Sequence, residues 1–191
     1  MGSLAAYAPA SRDPASPSSG ALRSQVRAGT LAGLVFRMLI RTVHESDLPE
    51  LARLYVAVFN APPWNDGWSI DTAHERIRRI ATNPSAVGVV ARDGDLPVSF
   101  ALGTLEQWTK GEHFHLRKMC TAIGQQRRGI GAAVLEALVR ELTARSVEVV
   151  FLETHPGSSA SAFYRKQGFS PLNLEMLRRR LGVGPRTLGP Q

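Results

Sequence analysis

The chain has one cysteine, Cys120, so no disulfide can form within it, and a reducing compartment such as the cytoplasm is compatible with it. Lysine is scarce: three lysines stand against twenty arginines. No apolar run approaches the roughly 20 residues of a membrane span, so no membrane association is expected. The N-terminus lacks the continuous apolar core of a secretory signal. Two familiar phosphate-binding loops are also missing. No Gly-Lys-Ser/Thr tripeptide occurs, which excludes a P-loop, and Val134 stands where a dinucleotide fingerprint needs its third glycine. Aromatic and basic residues are not interleaved, so nucleic acid is not expected as a partner. His113 and His115 share a strand face, but no third ligand lies near them in sequence, and no metal site is expected.

What is present suits one domain with tails: 191 residues, 43% of them apolar. Of the net charge of +7, residues 1–37 carry +3 and residues 182–191 carry +1, leaving an ordinary +3 for the rest. Residues 1–30 are rich in Ala, Ser, Pro and Gly without periodicity and read as disordered. Their charges are mostly Arg, which is compatible with a transit peptide. The expected division is a weakly ordered tail over 1–37, a domain over 38–181 and a frayed tail over 182–191.

Leu39–Val43 reads as a first strand. Asp47-x-x-Glu50 has the form of a capping box before a helix with Leu51, Leu54, Tyr55 and Val58 on one face. Asn60–Trp68 reads as a loop, and Ser69 or Asp71 as the cap of a second helix reaching Ile80. Ala86–Ala91 and Pro97–Thr104 form a hairpin across Asp93-Gly94. A polar loop, Glu106–Gly111, leads to a fourth strand, Phe114–Thr121. A third helix runs from Gly129 to about Ala144, and Val147–Leu152 reads as a buried fifth strand. Ser158 or Ser159 caps a fourth helix that Gly168 can close, and a last strand spans Leu174–Leu181. The class is mixed α/β (α+β).

Two stretches carry chemistry. In the fourth strand Phe114 and Leu116 put apolar side chains on even positions, whereas Met119 puts one on an odd position. A β-bulge produces such a slip and frees backbone groups from the ladder. The second stretch is Gln126-Arg127-Arg128-Gly129-Ile130-Gly131-Ala132. Its glycines permit a tight turn and close approach, the N–H groups opening the next helix favour an anion, and the arginines add charge. It reads as a pyrophosphate cradle, or as a glycine-rich helix entry with two solvated arginines.

Gln126-x-x-Gly129-x-Gly131 resembles the Gln/Arg-x-x-Gly-x-Gly/Ala signature of the GNAT N-acetyltransferases. The resemblance continues through Phe151–Thr154, Ala160-x-x-Phe163-Tyr164-x-x-x-Gly168-Phe169 and Met176–Leu181. It covers about residues 38–181. It implies the GNAT acyl-CoA N-acyltransferase fold, a mostly antiparallel mixed sheet splayed between the fourth and fifth strands and flanked by four helices.

The resemblance also implies acetyl-CoA as co-substrate. The backbone of Met119, Cys120 and Thr121 would hold its pantetheine, and Gln126 to Ala132 its pyrophosphate. Tyr164 would protonate the departing thiolate and also contact the cofactor. A glutamate is frequent in relatives where His115 stands, so the base is open between His115, Glu112 and Glu153, the last through a water. Ser158 would replace an asparagine that relatives have at Gly157. Trp64 and Trp68 would wall the acceptor site or pack the helices. The expected activity is acetyl transfer to a primary amine of a small molecule or peptide by direct attack in a ternary complex. A non-catalytic acyl-CoA-binding module is the alternative, and a homodimer is compatible with either.

Overall fold

The computed structural model describes residues 25–31, 34–179 and 181, with side chains from Met38 onward. The chain divides into two compact units, residues 1–152 and 153–191. The first holds a six-stranded sheet whose strands follow chain order: β1 (Gln25–Leu31), β2 (Leu34–Thr42), β3 (Ala86–Asp93), β4 (Leu96–Trp108), β5 (Gly111–Thr121) and β6 (Val149–Phe151). All neighbours are antiparallel except β5 and β6. That parallel pair needs a crossover, which α3 (Ile130–Ala144) supplies.

Helices α1 (Leu48–Phe59) and α2 (Ile70–Ala81) cover one face of the sheet. Leu48, Leu51, Tyr55 and Ile77 pack there with Val90, Phe100, Leu102 and Cys120. Helix α3 packs on β3, β4 and β5, and none of its residues belongs to that cluster, so it covers the opposite face. The second unit contains α4 (Ser159–Lys166), capped by Ser158, whose hydroxyl accepts from the Ser161 amide. Gly168 follows at φ 88°, the left-handed stop expected for it. Among the described residues no helix is long and apolar enough to cross a membrane.

Several expectations hold in detail. Ser69 caps α2, and Gly94, at φ 58°, turns the β3–β4 hairpin. Others need correction. Residues 25–30, read as disordered, form with Leu31 an edge strand whose ladder with β2 runs from Gln25↔Ile40 to Leu31↔Leu34. Gly29 and Ala28 had diluted its alternation. Residues 1–24 lie outside the described residues, as does the whole 182–191 tail. The polar stretch Glu106–Gly111 is mostly ladder: Glu106 faces His113 and Trp108 faces Gly111, leaving a two-residue turn. Polar side chains there mark the rim of the sheet, not the end of pairing. The closing strand over Leu174–Leu181 is not formed among the described residues, and Leu174, Met176, Leu177 and Leu181 are exposed.

Asp47 does not cap α1. It is 3% exposed and its carboxylate takes Arg41 in a bidentate pair at 2.6 and 2.7 Å, Arg92 at 3.1 Å and the His44 amide at 2.8 Å. Arg41 and Arg92 come from β2 and β3, so the carboxylate ties the start of α1 to two strands. Burial alone would raise the Asp47 pKa, but the Arg41 and His44 hydrogen bonds and both guanidinium charges outweigh it and hold it below the usual range. A depressed folded pKa contributes stability above the unfolded value, lost as pH falls through the folded one. The protein should therefore lose stability below about pH 4, and Asp47→Asn should flatten that dependence while costing on the order of 3 kcal/mol at neutral pH. Urea unfolding of both proteins across pH 3–7 checks this; an unchanged acid limb in the variant would contradict it.

The β4–β5 ladder changes register between Leu102 and Gly103. Leu102 faces Lys118 and Gly103 faces Leu116, so Arg117 is an extra residue, and the bulge expected from the phase slip is present. Gly103 makes room for it. A Cβ there would collide with the His115 carbonyl oxygen and lie 2.5 Å from Phe114 Cζ. Backbone cannot move aside as a flexible side chain can, so Gly103→Ala should cost about 1–3 kcal/mol. A urea midpoint equal to that of the parent would show that the bulge does not need this glycine.

Candidate active site

Parallel pairing between β5 and β6 covers only His113↔Val149, Phe114↔Val150 and His115↔Phe151, whereas β5 runs on to Thr121 against β4. From Leu116 onward, among the described residues, no strand pairs with its β6-side edge. The Ala122 amide donates to the Val98 carbonyl at 2.8 Å. Antiparallel residues alternate between bonded and non-bonded pairs. Cys120, facing Phe100, therefore spends its backbone groups on β4, and Met119 and Thr121 point theirs at the open edge. Of the three expected pantetheine contacts, Met119 and Thr121 have the right orientation. Gln126 Nε2 donates to the Thr121 carbonyl at 3.1 Å, which joins that edge to the following loop.

The cradle is folded around two left-handed residues, Arg127 at φ 60° and Gly129 at φ 80°. Gly129 is the N-cap of α3, with no side chain capping it, and a Cβ placed there meets nothing within 4 Å. The amides of Ile130, Gly131 and Ala132 open the helix beneath that space, where the macrodipole favours an anion. Arg128 is held by Gln125 at 2.8 Å. An open strand edge leading into an uncapped helix start fits an elongated ligand ending in a diphosphate. Gly129→Val would force a branched residue into the left-handed region, at a cost of about 1–2 kcal/mol, and fill the space before the amides. Calorimetry should find acetyl-CoA affinity lost in the folded variant; retained affinity would remove this loop from the cofactor site.

His115 is 5% exposed and opposite Thr104, on the sheet face that carries α1 and α2. Its Nδ1 lies 3.2 Å from Glu106 Oε1 and 3.1 Å from an Arg117 guanidinium nitrogen, and its ring stacks on Phe151 at 4.4 Å. Donation from Nδ1–H to Glu106 leaves Nε2 with the lone pair a base needs. Donation from Arg117 to Nδ1 selects the other tautomer. Glu106 went unnoticed in the sequence because it was read as loop; its distance from His115 depends on the β4–β5 register. Glu112 faces Gln107 and so projects from the opposite face. His113 stacks on Trp108 at 4.8 Å. No group of three His, Cys, Asp or Glu side chains suited to a metal occurs among the described residues.

Trp64 and Trp68 both pack: Trp68 edge-on to Tyr55 at 5.3 Å, Trp64 against Phe59 at 5.7 Å. Both are half-buried. Asn60 closes the loop, donating to the Trp68 carbonyl and accepting from its amide, and the Trp68 indole is held by Asp66. Lys118 Nζ lies over the Tyr55 and Phe59 rings, 5.6 and 6.0 Å from their centroids. Burial pushes the Tyr55 phenol up to about 12, against the Arg76 charge, so it stays neutral. Burial also raises the Cys120 thiol, with Lys118 opposing, and rules it out as a nucleophile.

Glu153, Ser158 and Tyr164 belong to the second unit. Glu153 is exposed. Tyr164 is half-buried between Phe163 and Phe169, at 5.2 and 5.5 Å. The Ser158 hydroxyl donates to the His155 carbonyl, accepts from the Ser161 amide and lies 3.5 Å from the Thr154 hydroxyl.

No curated protein matches the sequence. Among solved structures, a possible acetyltransferase from Clostridium difficile 630 aligns with TM-score 0.66 at 13% identity, over 75% of this chain and 97% of its own. The aminoglycoside N-acetyltransferase AAC(6')-Iy in complex with CoA aligns with TM-score 0.63 at 15% identity, over 78% and 99%. A ribosomal-protein-alanine N-acetyltransferase from Brucella melitensis aligns with TM-score 0.59 at 16% identity, over 75% and 99%. At such identities the likeness is one of fold. The model of the acetyltransferase (GNAT) family matches residues 48–169, well over half of the sequence and including both the bulged strand and the cradle, and the chain belongs to that family.

Proposed function

We propose that the chain is an acetyl-CoA-dependent N-acetyltransferase that acts on a primary amine by direct attack in a ternary complex. The observation that carries this reading is the open edge of β5 beyond His115, continuous with the uncapped start of α3. Acetyl-CoA, when bound, supplies an activated acetyl thioester. The Met119 and Thr121 backbone groups are oriented to pair with an extended amide-bearing arm, and Ile130 to Ala132 to hold a diphosphate, with Arg127 and Arg128 adding charge.

An ammonium has no lone pair, so the acceptor must lose a proton before it attacks. His115 is suited to take it at Nε2 while Glu106 holds Nδ1–H. Tyr164, by its motif, returns a proton to the thiolate, whose basicity a phenol of pKa about 10 can match. The buried setting of His115 and the stacked Phe151 keep the imidazole fixed, which favours a single direction of attack. The Arg117 contact instead favours the tautomer with Nε2 protonated, and it supports the second reading, a module that binds acyl-CoA without turnover.

Two variants separate these readings. Tyr164→Phe keeps the ring and removes the proton, so turnover should fall about 10²–10⁴-fold with acetyl-CoA affinity nearly unchanged. His115→Ala should lower the rate most near neutral pH and recover in part at high pH, where the amine sheds its own proton. CoA release across pH 6–10 measures both. Full rates and an unaltered profile in both variants would overturn these roles.

A further inference from the structure

Ser99 is a fully buried polar residue in β4, between Val98 and Phe100. It lies opposite Thr121, at the end of β5 that leads into the cradle. A hydroxyl buried among apolar side chains is costly unless it is hydrogen-bonded. This one is bonded twice: Oγ donates to the Cys120 carbonyl at 2.9 Å and lies 2.9 Å from Thr121 Oγ1. A carbonyl cannot donate, so the single Ser99 proton goes to Cys120, and the Thr121 hydroxyl gives its own to Ser99.

The strand ladder does not call for this bond. The Ala122 amide donates to the Val98 carbonyl, and by alternation Phe100 and Cys120 form the next bonded pair. The Cys120 carbonyl therefore already receives a backbone N–H, and Ser99 fills its second lone pair. That carbonyl shares a planar peptide unit with the Thr121 N–H, and the two point in opposite directions. The carbonyl faces β4, so the N–H faces the edge that no strand pairs among the described residues. Hydrogen bonds accepted at one end of a peptide polarise it and make the other end a stronger donor. Gln126 Nε2 donates to the Thr121 carbonyl at 3.1 Å, which fixes the following peptide unit against the loop.

The geometry points to Ser99 as a positioning residue for the cofactor arm, acting through the Cys120–Thr121 peptide without touching the ligand; this rests on the acetyl-CoA reading given above. Thr121 ends β5 on the cradle side, whereas His115 lies further back, at the last residue that β6 pairs. The Thr121 amide thus serves an amide carbonyl of the pantetheine, not the reacting thioester. The signature belongs to binding and not to the chemical step.

Ser99→Ala deletes the hydroxyl and adds no bulk. Calorimetry should find acetyl-CoA and CoA weakened alike, by about two- to tenfold, while ADP, which carries the diphosphate without the arm, binds as to the parent. KM for acetyl-CoA should rise by the same factor at unchanged kcat. Ser99→Cys, whose thiol is a weaker donor, should fall between. The peptide itself can be watched. The chain has one cysteine, so ¹³C at the cysteine carbonyl and ¹⁵N at threonine single out the Cys120–Thr121 unit. In ligand-free protein Ser99→Ala should move the Thr121 amide proton upfield. Equal acetyl-CoA affinity in the two proteins, an unmoved Thr121 amide, or ADP weakened as much as acetyl-CoA overturns the proposal. A loss confined to acetyl-CoA, with CoA unaffected, puts the amide at the thioester and overturns it as well. A parent that binds no CoA overturns the function proposed above together with this role. A parent that binds CoA but acetylates no amine loses only the enzymatic reading, and the calorimetric comparison then decides the role of Ser99.

Discussion

One surplus residue in β5 governs the rest of the site. Two antiparallel strands stay in step only if each contributes the same count, and between β4 and β5 the count differs by Arg117. The surplus changes which face every later side chain meets. It sends Cys120 into the core beneath α1 and brings Lys118 over the rings of that helix. It also falls just past the last residue that β6 pairs, His115, so the strand leaves its parallel neighbour where its own geometry is perturbed. Gly103 is the matching concession on β4. A bulge that needed room on both faces would not have survived close packing; here a missing side chain absorbs it.

The helices that cover the His115 face of the sheet are fixed by different means. Asp47 binds the entry of α1 to two strands through charge, and Asn60 fastens its exit to the start of α2 through backbone groups of Trp68. Between them α1 is held at both ends, and its inner face presents Tyr55 and Phe59 to β5. The buried ion pairs are strong local anchors without being large net sources of stability, since desolvation offsets much of the attraction. Their effect is on placement: the aromatic surface has little freedom to drift away from Lys118.

Much of this was legible in the sequence because it rested on local signals. The caps Ser69 and Ser158, the Asp93-Gly94 turn and the helical spacing of Val134, Leu138 and Leu142 each depend on near neighbours. The phase slip between Leu116 and Met119 even located the bulge. What escaped were facts about pairing partners. Glu106 meets His115 across a hairpin whose polar end resembles a loop, and Glu112 lies on the wrong face for reasons of register alone. Asp47 had a good local role as a cap, but Arg41 on the preceding strand and Arg92, 45 residues on, outcompeted it. The strand Gln25–Leu31 was diluted by small residues, and the stretch Leu174–Leu181, read as a strand by its resemblance, forms none among the described residues.

The burial of Cys120 has a practical side. Its side chain is 6% exposed, its thiol is held protonated by its surroundings, and it is the chain's one cysteine. A folded molecule therefore offers thiol-reactive dyes almost nothing to label. Chromogenic detection of liberated coenzyme can run continuously in the presence of the protein, with little background and no slow inactivation by the reagent. Conversely, the rate at which such a dye labels the chain on its own reports how often β5 lifts away from α1, so the same reagent doubles as a gauge of local opening at the centre of the molecule.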